Sequence, residues 1–140
     1  MLRRSSITIV ILVAVLLTAN HAAFAQKTVR LSATPSAFRV FYKKFANVVN
    51  RGVGTEIAAM TSFPFKYGFD AGDEGTWTRS QFLKNYGNIF MPQPIVFKRK
   101  DPLFTVASGA YTLENSDDAS YFIFKKRGGT YKLVSYMVEP

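Results

Sequence analysis

The chain has 140 residues, 18 Lys and Arg against 9 Asp and Glu, a formal net charge of +9, one histidine and no cysteine. This inventory excludes disulfide staples, thiol nucleophiles and thiolate metal sites, so the fold must be held together by packing.

Residues 1–25 read as a secretory signal peptide. Arg3 and Arg4 form a basic n-region, Ile7 to Ala19 an apolar h-region, and Ala23-Phe24-Ala25 a small-x-small site that sets the cut between Ala25 and Gln26. The apolar run falls short of the roughly 20 residues that a bilayer span needs. The mature form is therefore expected in the periplasm or the medium, and not as a membrane-spanning protein. The only histidine, His21, leaves with this segment. A Ser-His-Asp triad, a Cys-His pair and an imidazole-bound zinc are then all excluded, leaving carboxylates, Tyr and Lys for acid–base work. No cofactor and no metal are expected.

Losing Arg3 and Arg4 lowers the net charge to about +7. The excess gathers at Lys43-Lys44, Lys98-Arg99-Lys100 and Lys125-Lys126-Arg127. An exported protein is not expected to meet nucleic acid. These runs read either as solvated surface charge or as attraction to an anionic envelope surface.

Residues 26–34 show no helical period and read as an N-terminal arm; residues 35–140 read as one domain. Thr34-Pro35 predicts a helix start with Thr34 as N-cap. Phe38, Phe41, Tyr42, Phe45, Val48 and Val49 then recur at the spacing of one helical face, and Gly52 stops it. Thr55 predicts the cap of a short second helix over Glu56–Thr61. Phe65, Tyr67 and Phe69 alternate with polar residues as in a strand. Residues Asp70 to Gly75 read as a loop. Thr78 and Gln81 stand at capping-box spacing ahead of Phe82, Leu83, Tyr86, Ile89 and Phe90, a third helix that Gly87 weakens and Met91-Pro92 ends.

The rest reads as strands: Ile95–Arg99, Phe104–Leu113 with Gly109 as a bulge, Tyr121–Lys126 and Tyr131–Val138. Gly128-Gly129 predicts a two-residue hairpin turn. That register sets Phe124 opposite Leu133 and Phe122 opposite Ser135, with Tyr121, Ile123, Val134 and Tyr136 on the other face. Both faces are then apolar. One meets the helices; the other needs a cover, and a second subunit is the natural one, giving a homodimer through the sheet.

The helix motifs Phe41-Tyr42-Lys43-Lys44-Phe45-Ala46 and Glu56-Ile57-Ala58-Ala59-Met60 carry a resemblance. So do Phe63-Pro64-Phe65, Arg79-Ser80-Gln81-Phe82-Leu83 and the Tyr121–Val138 hairpin. Together the chain resembles small exported bacterial proteins of the nuclear transport factor 2-like (NTF2-like) superfamily, over Pro35 to Pro140. The resemblance implies an α+β cone: about three N-terminal helices packed on a curved antiparallel sheet, often dimeric, with room for an apolar cavity. The superfamily holds enzymes resembling ketosteroid isomerases and dehydratases beside many non-catalytic binding domains, so fold alone decides little.

Aromatic residues make up 15% of the chain. Tyr67, Trp77, Tyr86 and Tyr111 are candidates to line a pocket for an apolar ligand; the plainer reading makes them core and interface. Trp77 also reads as a staple for the third helix. Asp70, at a strand end beside Tyr67, is a candidate catalytic base in an isomerase- or dehydratase-like enzyme, or simply a turn carboxylate. Asp73-Glu74 and Asp117-Asp118 lack calcium-loop spacing. The expected function is that of a non-catalytic exported domain binding a small apolar ligand or an envelope protein; a basic binder of anionic surfaces is the other alternative.

Overall fold

Phe38, Tyr42, Phe45, Val48 and Val49 fall on one stripe, and in the computed structural model, which describes residues 26–139, that stripe is the buried face of helix α1 (Ser36–Arg51). The signal-peptide reading of residues 1–25 lies outside the described residues; Gln26 is the first of them and is exposed. Gly52 ends α1 in the left-handed conformation at φ 70°, as the glycine predicted. The start is set differently. The Thr34 hydroxyl donates to the Leu31 carbonyl at 2.6 Å instead of capping α1, and Pro35 occupies the cap position.

The remaining helices are short: α2 (Gly54–Ala59), α3 (Arg79–Asn85) and α4 (Gly87–Phe90). The predicted capping box of α3 is present: Gln81 N–H donates to Thr78 Oγ1 at 3.3 Å, and Thr78 N–H to Gln81 Oε1 at 2.9 Å. Trp77, one residue ahead of the cap, meets Phe82 with ring centroids 6.4 Å apart, the contact of a hydrophobic staple. The helical run breaks at Tyr86-Gly87, where glycine costs about 1 kcal/mol of helix propensity relative to alanine.

Seven strands form one sheet: β1 (Lys27–Arg30), β2 (Thr61–Gly68), β3 (Glu74–Trp77), β4 (Leu103–Ala107), β5 (Ala110–Asn115), β6 (Ser120–Arg127) and β7 (Thr130–Val138). Their order is β1-β4-β5-β6-β7-β2-β3. Every neighbouring pair is antiparallel except β2 and β7, which run parallel. The chain is thus α+β, but it is not the expected NTF2-like cone. The sheet is mixed, and its helices do not form an N-terminal block, since β1 precedes α1 and β2 and β3 separate α2 from α3.

Local departures have local causes. The segment read as an arm contributes edge strand β1, paired with β4 in the register Lys27↔Val106 to Arg30↔Leu103. The predicted strand over Phe104–Leu113 is a hairpin, because Ser108 and Gly109 (φ 49° and 74°) make a turn rather than a bulge. Ile95–Lys98 is a 3-10 turn, not a strand, with Val96 and Phe97 buried and the Phe97 carbonyl accepting from Asn50 Nδ2 at 3.0 Å. A short apolar run does not distinguish the two by itself. The expected loop over Asp70–Gly75 yields to β3 from Glu74 onward.

One face of the sheet and the helices enclose an aromatic core. Phe38, Phe45, Phe65, Phe82, Phe90, Phe104, Phe122 and Phe124 are fully buried. Phe124 lies within 5.2–6.1 Å, centroid to centroid, of Phe38, Phe41, Tyr42 and Phe45, which joins β6 to α1. Edge-to-face pairs of this kind add about 0.5–1.5 kcal/mol each beyond area burial.

Candidate functional site

The sheet register separates the predicted aromatic set. Tyr67 and Trp77 come together, their rings stacked with centroids 4.4 Å apart and 24° between planes. Tyr111 is elsewhere, stacked on Phe38 at 3.9 Å. Tyr86 lies against α2, where a Cβ built on Gly54 would stand 2.4 Å from its ring. The four do not converge on one space; each takes part in packing. Asp70 is exposed at the start of a 3-10 turn, its Oδ1 accepting from the Ala71 N–H at 2.8 Å. It closes its own turn instead of facing a cavity beside a tyrosine. Among the described residues, no group of three or more His, Asp or Glu side chains could hold a metal ion.

Two buried phenols mark the polar limits of the core. The Tyr42 hydroxyl is buried without a partner, and burial pushes its pKa far above the ordinary tyrosine value, with Arg99 pulling weakly the other way. Tyr136 sits beside a turn in which Asp118 Oδ1 accepts from Ser120 Oγ at 2.5 Å, Ser120 N–H at 3.1 Å and Asn115 Nδ2 at 3.1 Å. Burial raises the Tyr136 pKa, a hydrogen bond with Ser120 lowers it, and Asp118 adds to the rise.

Both phenols hold their protons in the folded state to a higher pH than in the unfolded chain. Stability is therefore fully present below the ordinary tyrosine pKa of about 10 and falls as pH rises above it. Urea melts across the alkaline range should show this loss. Tyr42→Phe should reduce its slope while leaving neutral-pH stability unchanged or higher, since the orphaned hydroxyl goes with it. A steeper alkaline loss in the phenylalanine variant would contradict the assignment.

The opposite face of the sheet carries a different chemistry, and one irregularity defines it. Gly128 and Gly129 form the predicted two-residue turn, both at positive φ, and Phe124 faces Leu133 as expected. Between Ile123 and Phe124 the register then shifts, leaving Val134 as an extra residue in β7. Beyond this bulge the facing is reversed from the regular expectation. Phe122 now pairs with Tyr136, which joins the core, and Ile123 pairs with Ser135 on the other face.

A lateral row results across the open face: Thr105, Thr112, Ile123, Ser135, Lys66 and Thr76, one residue from each of six strands. Its middle members Ile123, Ser135 and Lys66 line a trough of about 540 Å³. Its apolar lining is Phe63, Pro64, Ile123, Val134 and Met137; its polar lining is Ser62, Ser135, Lys66, Lys125 and Arg127, with no carboxylate among them. Ser135 is 6% exposed, and its Oγ is buried with no hydrogen-bond partner. Among the described residues the one ion pair is Arg51 with Glu56, so Lys66, Lys125 and Arg127 are unpaired.

Sequence reading singled out Ile123, Val134 and the Lys125–Arg127 run, and missed Lys66, Ser135 and Met137. The alternation of β2 would have placed Lys66 opposite Phe65, but nothing local says that β2 lies beside β7. Other grooves lie elsewhere on the surface, among them one of about 410 Å³ lined by Val40, Phe41, Met60, Tyr131, Lys44 and Lys132. Another beside α1 and α2, about 450 Å³, is lined by Val48, Met60 and the paired Arg51 and Glu56.

No family model matches the chain, and no curated protein matches it. Among solved structures, it is similar to a domain of unknown function with a cystatin-like fold from Nostoc punctiforme. The TM-score is 0.39 and the identity 14%, over 73% of this chain and 74% of that one. That likeness is too loose to assign a fold. The NTF2-like resemblance is not upheld, because the mixed seven-stranded sheet, with strands before and between the helices, departs from the implied cone.

Proposed function

We propose that this chain is an exported, non-catalytic binding protein that holds a small, largely apolar molecule in the trough on the open face of its sheet. The single observation behind this reading is the trough itself. Its volume of about 540 Å³ falls within the roughly 300–1,000 Å³ of small-molecule sites, and it joins an apolar lining to a few polar groups. The helix-covered face, by contrast, is packed ring against ring. Among the described residues, no helix is long and apolar enough to cross a membrane.

The enzyme alternative required Asp70 buried beside a tyrosine, and its exposure removes the support for it. The reading as a binder of anionic surfaces draws on Lys98-Arg99-Lys100 and Lys125-Lys126-Arg127, and predicts binding to anionic vesicles that weakens steeply with salt. Lys125 and Arg127 border the trough, whereas Lys100 lines a separate groove with Arg39, Lys43 and Asp101. An envelope protein, or a second copy completing a homodimer, would compete for the same face.

Native mass spectrometry of the exported protein tests the proposal, reporting signal cleavage, oligomeric state and retained ligand in one measurement. The wild type should carry added small-molecule mass, and Ile123→Asp should lose it while keeping the wild-type circular dichroism. A variant that keeps the mass overturns the assignment of the site. A bare wild type that also fails to take up N-phenylnaphthylamine overturns the function.

A further inference from the structure

From the trough's electrostatics we infer that its ligand is an amphipathic anion, an alkyl chain ending in one carboxylate. This rests on the binding role proposed above and specifies the chemistry of the occupant. Three features of the site converge on it. Lys66, Lys125 and Arg127 line the trough with neither an ion-pair partner nor a carboxylate in the lining to balance them. Unbalanced cations around a site attract and orient a negatively charged group. Ser135 adds a hydroxyl that is more than nine-tenths buried and unpartnered, directly between Ile123 and Lys66 in the lateral row. A buried polar group left unmatched costs about 1–3 kcal/mol, and an acceptor seated there relieves that cost. Finally, Phe63, Ile123, Val134 and Met137 supply surface that a charged head alone would not use.

The head and the tail thus have distinct places. The carboxylate accepts from Ser135 Oγ and from the Lys66 ammonium beside it, with Lys125 and Arg127 adding positive potential from β6. The chain lies along Ile123, Val134 and Met137. One buried hydroxyl and three flexible cations suit a compact monoanion. A second copy of the chain fits the face less well. A two-fold contact sets the same patch against itself, and Lys66, Lys125 and Arg127 would then face their own counterparts.

Isothermal titration of the exported protein with decanoate, decanol, decyl phosphate and decyltrimethylammonium tests the inference. Decanoate should bind one to one and about tenfold or more tighter than decanol, with the quaternary ammonium weakest. Replacing Lys66, Lys125 and Arg127 together by Gln should remove that preference and leave decanol binding within about twofold. Ser135→Ala should weaken decanoate more than decanol. Equal binding of decanol and decanoate overturns the anionic head and leaves the apolar binding role standing. Failure of every decyl compound to bind overturns the role itself. Tighter binding of decyl phosphate, or binding to phosphatidylglycerol vesicles with none to free decanoate, replaces the carboxylate by a phosphate or a membrane surface. A stable dimer by sedimentation that excludes decanoate assigns the face to a second copy.

Discussion

Phe124→Ala is expected to destabilise the domain by about 3–5 kcal/mol, the range for truncating a fully buried phenylalanine. For a domain of this size that lowers Tm by about 10–25 °C. The magnitude follows from where the ring sits. Phe124 is fully buried in β6, and four aromatic rings of α1 surround it. The surrounding groups are large rings on a helix and a sheet, which close poorly over the volume left behind, so both lost transfer energy and residual cavity contribute. With no disulfide in the chain, nothing covalent offsets the loss. Phe124→Leu keeps most of the apolar volume and should cost less than half as much. Thermal melts and urea midpoints of the two variants check the ordering, and an alanine variant melting within a few degrees of wild type would show that this ring does not anchor α1 to the sheet.

Gly54→Ala should be destabilising by about 1–3 kcal/mol, the cost of overpacking a filled contact. Sequence reasoning points the other way, because alanine is the better helix former by about 1 kcal/mol. Gly54 opens α2 and is buried, and a Cβ placed on it would lie 2.4, 2.5 and 2.9 Å from atoms of the Tyr86 ring. These are ring atoms between two packed helices, so the ring or a helix must move. The partner is identified by a double-mutant cycle. In a Tyr86→Ala background the same glycine substitution should be neutral or slightly stabilising, giving a coupling energy of about 1–3 kcal/mol. If Gly54→Ala raises the urea midpoint of the otherwise wild-type chain, the close approach is not what selects glycine here.

These two positions show why parts of the molecule were legible in the sequence and parts were not. The stripe on α1, its glycine stop, the α3 capping box and the Gly128-Gly129 turn are written within a few residues of one another. Periodicity and turn chemistry therefore recover them. Gly54 carries no such mark, since its reason is a tyrosine some thirty positions along the chain. The aromatic candidates fare in the same way. Their number foretold a ring-rich core, but only strand pairing decides that Tyr67 meets Trp77 while Tyr111 meets Phe38.

The sequence by itself determined what chemistry is absent from the domain that follows residue 25, which has no thiol and no imidazole, and where its main helix and last hairpin lie. Only the tertiary structure decided the site. Alternation along a strand assigns side chains to two faces but does not name the neighbouring strand or its direction. The parallel pairing of β2 with β7, which brings Lys66 beside Ser135, was therefore invisible. The bulge at Val134 adds one residue to a period of two, and a shift of one exchanges the faces of all that follows. That single residue sends Tyr136 into the core and turns Ser135, with its unpartnered hydroxyl, onto the floor of the trough.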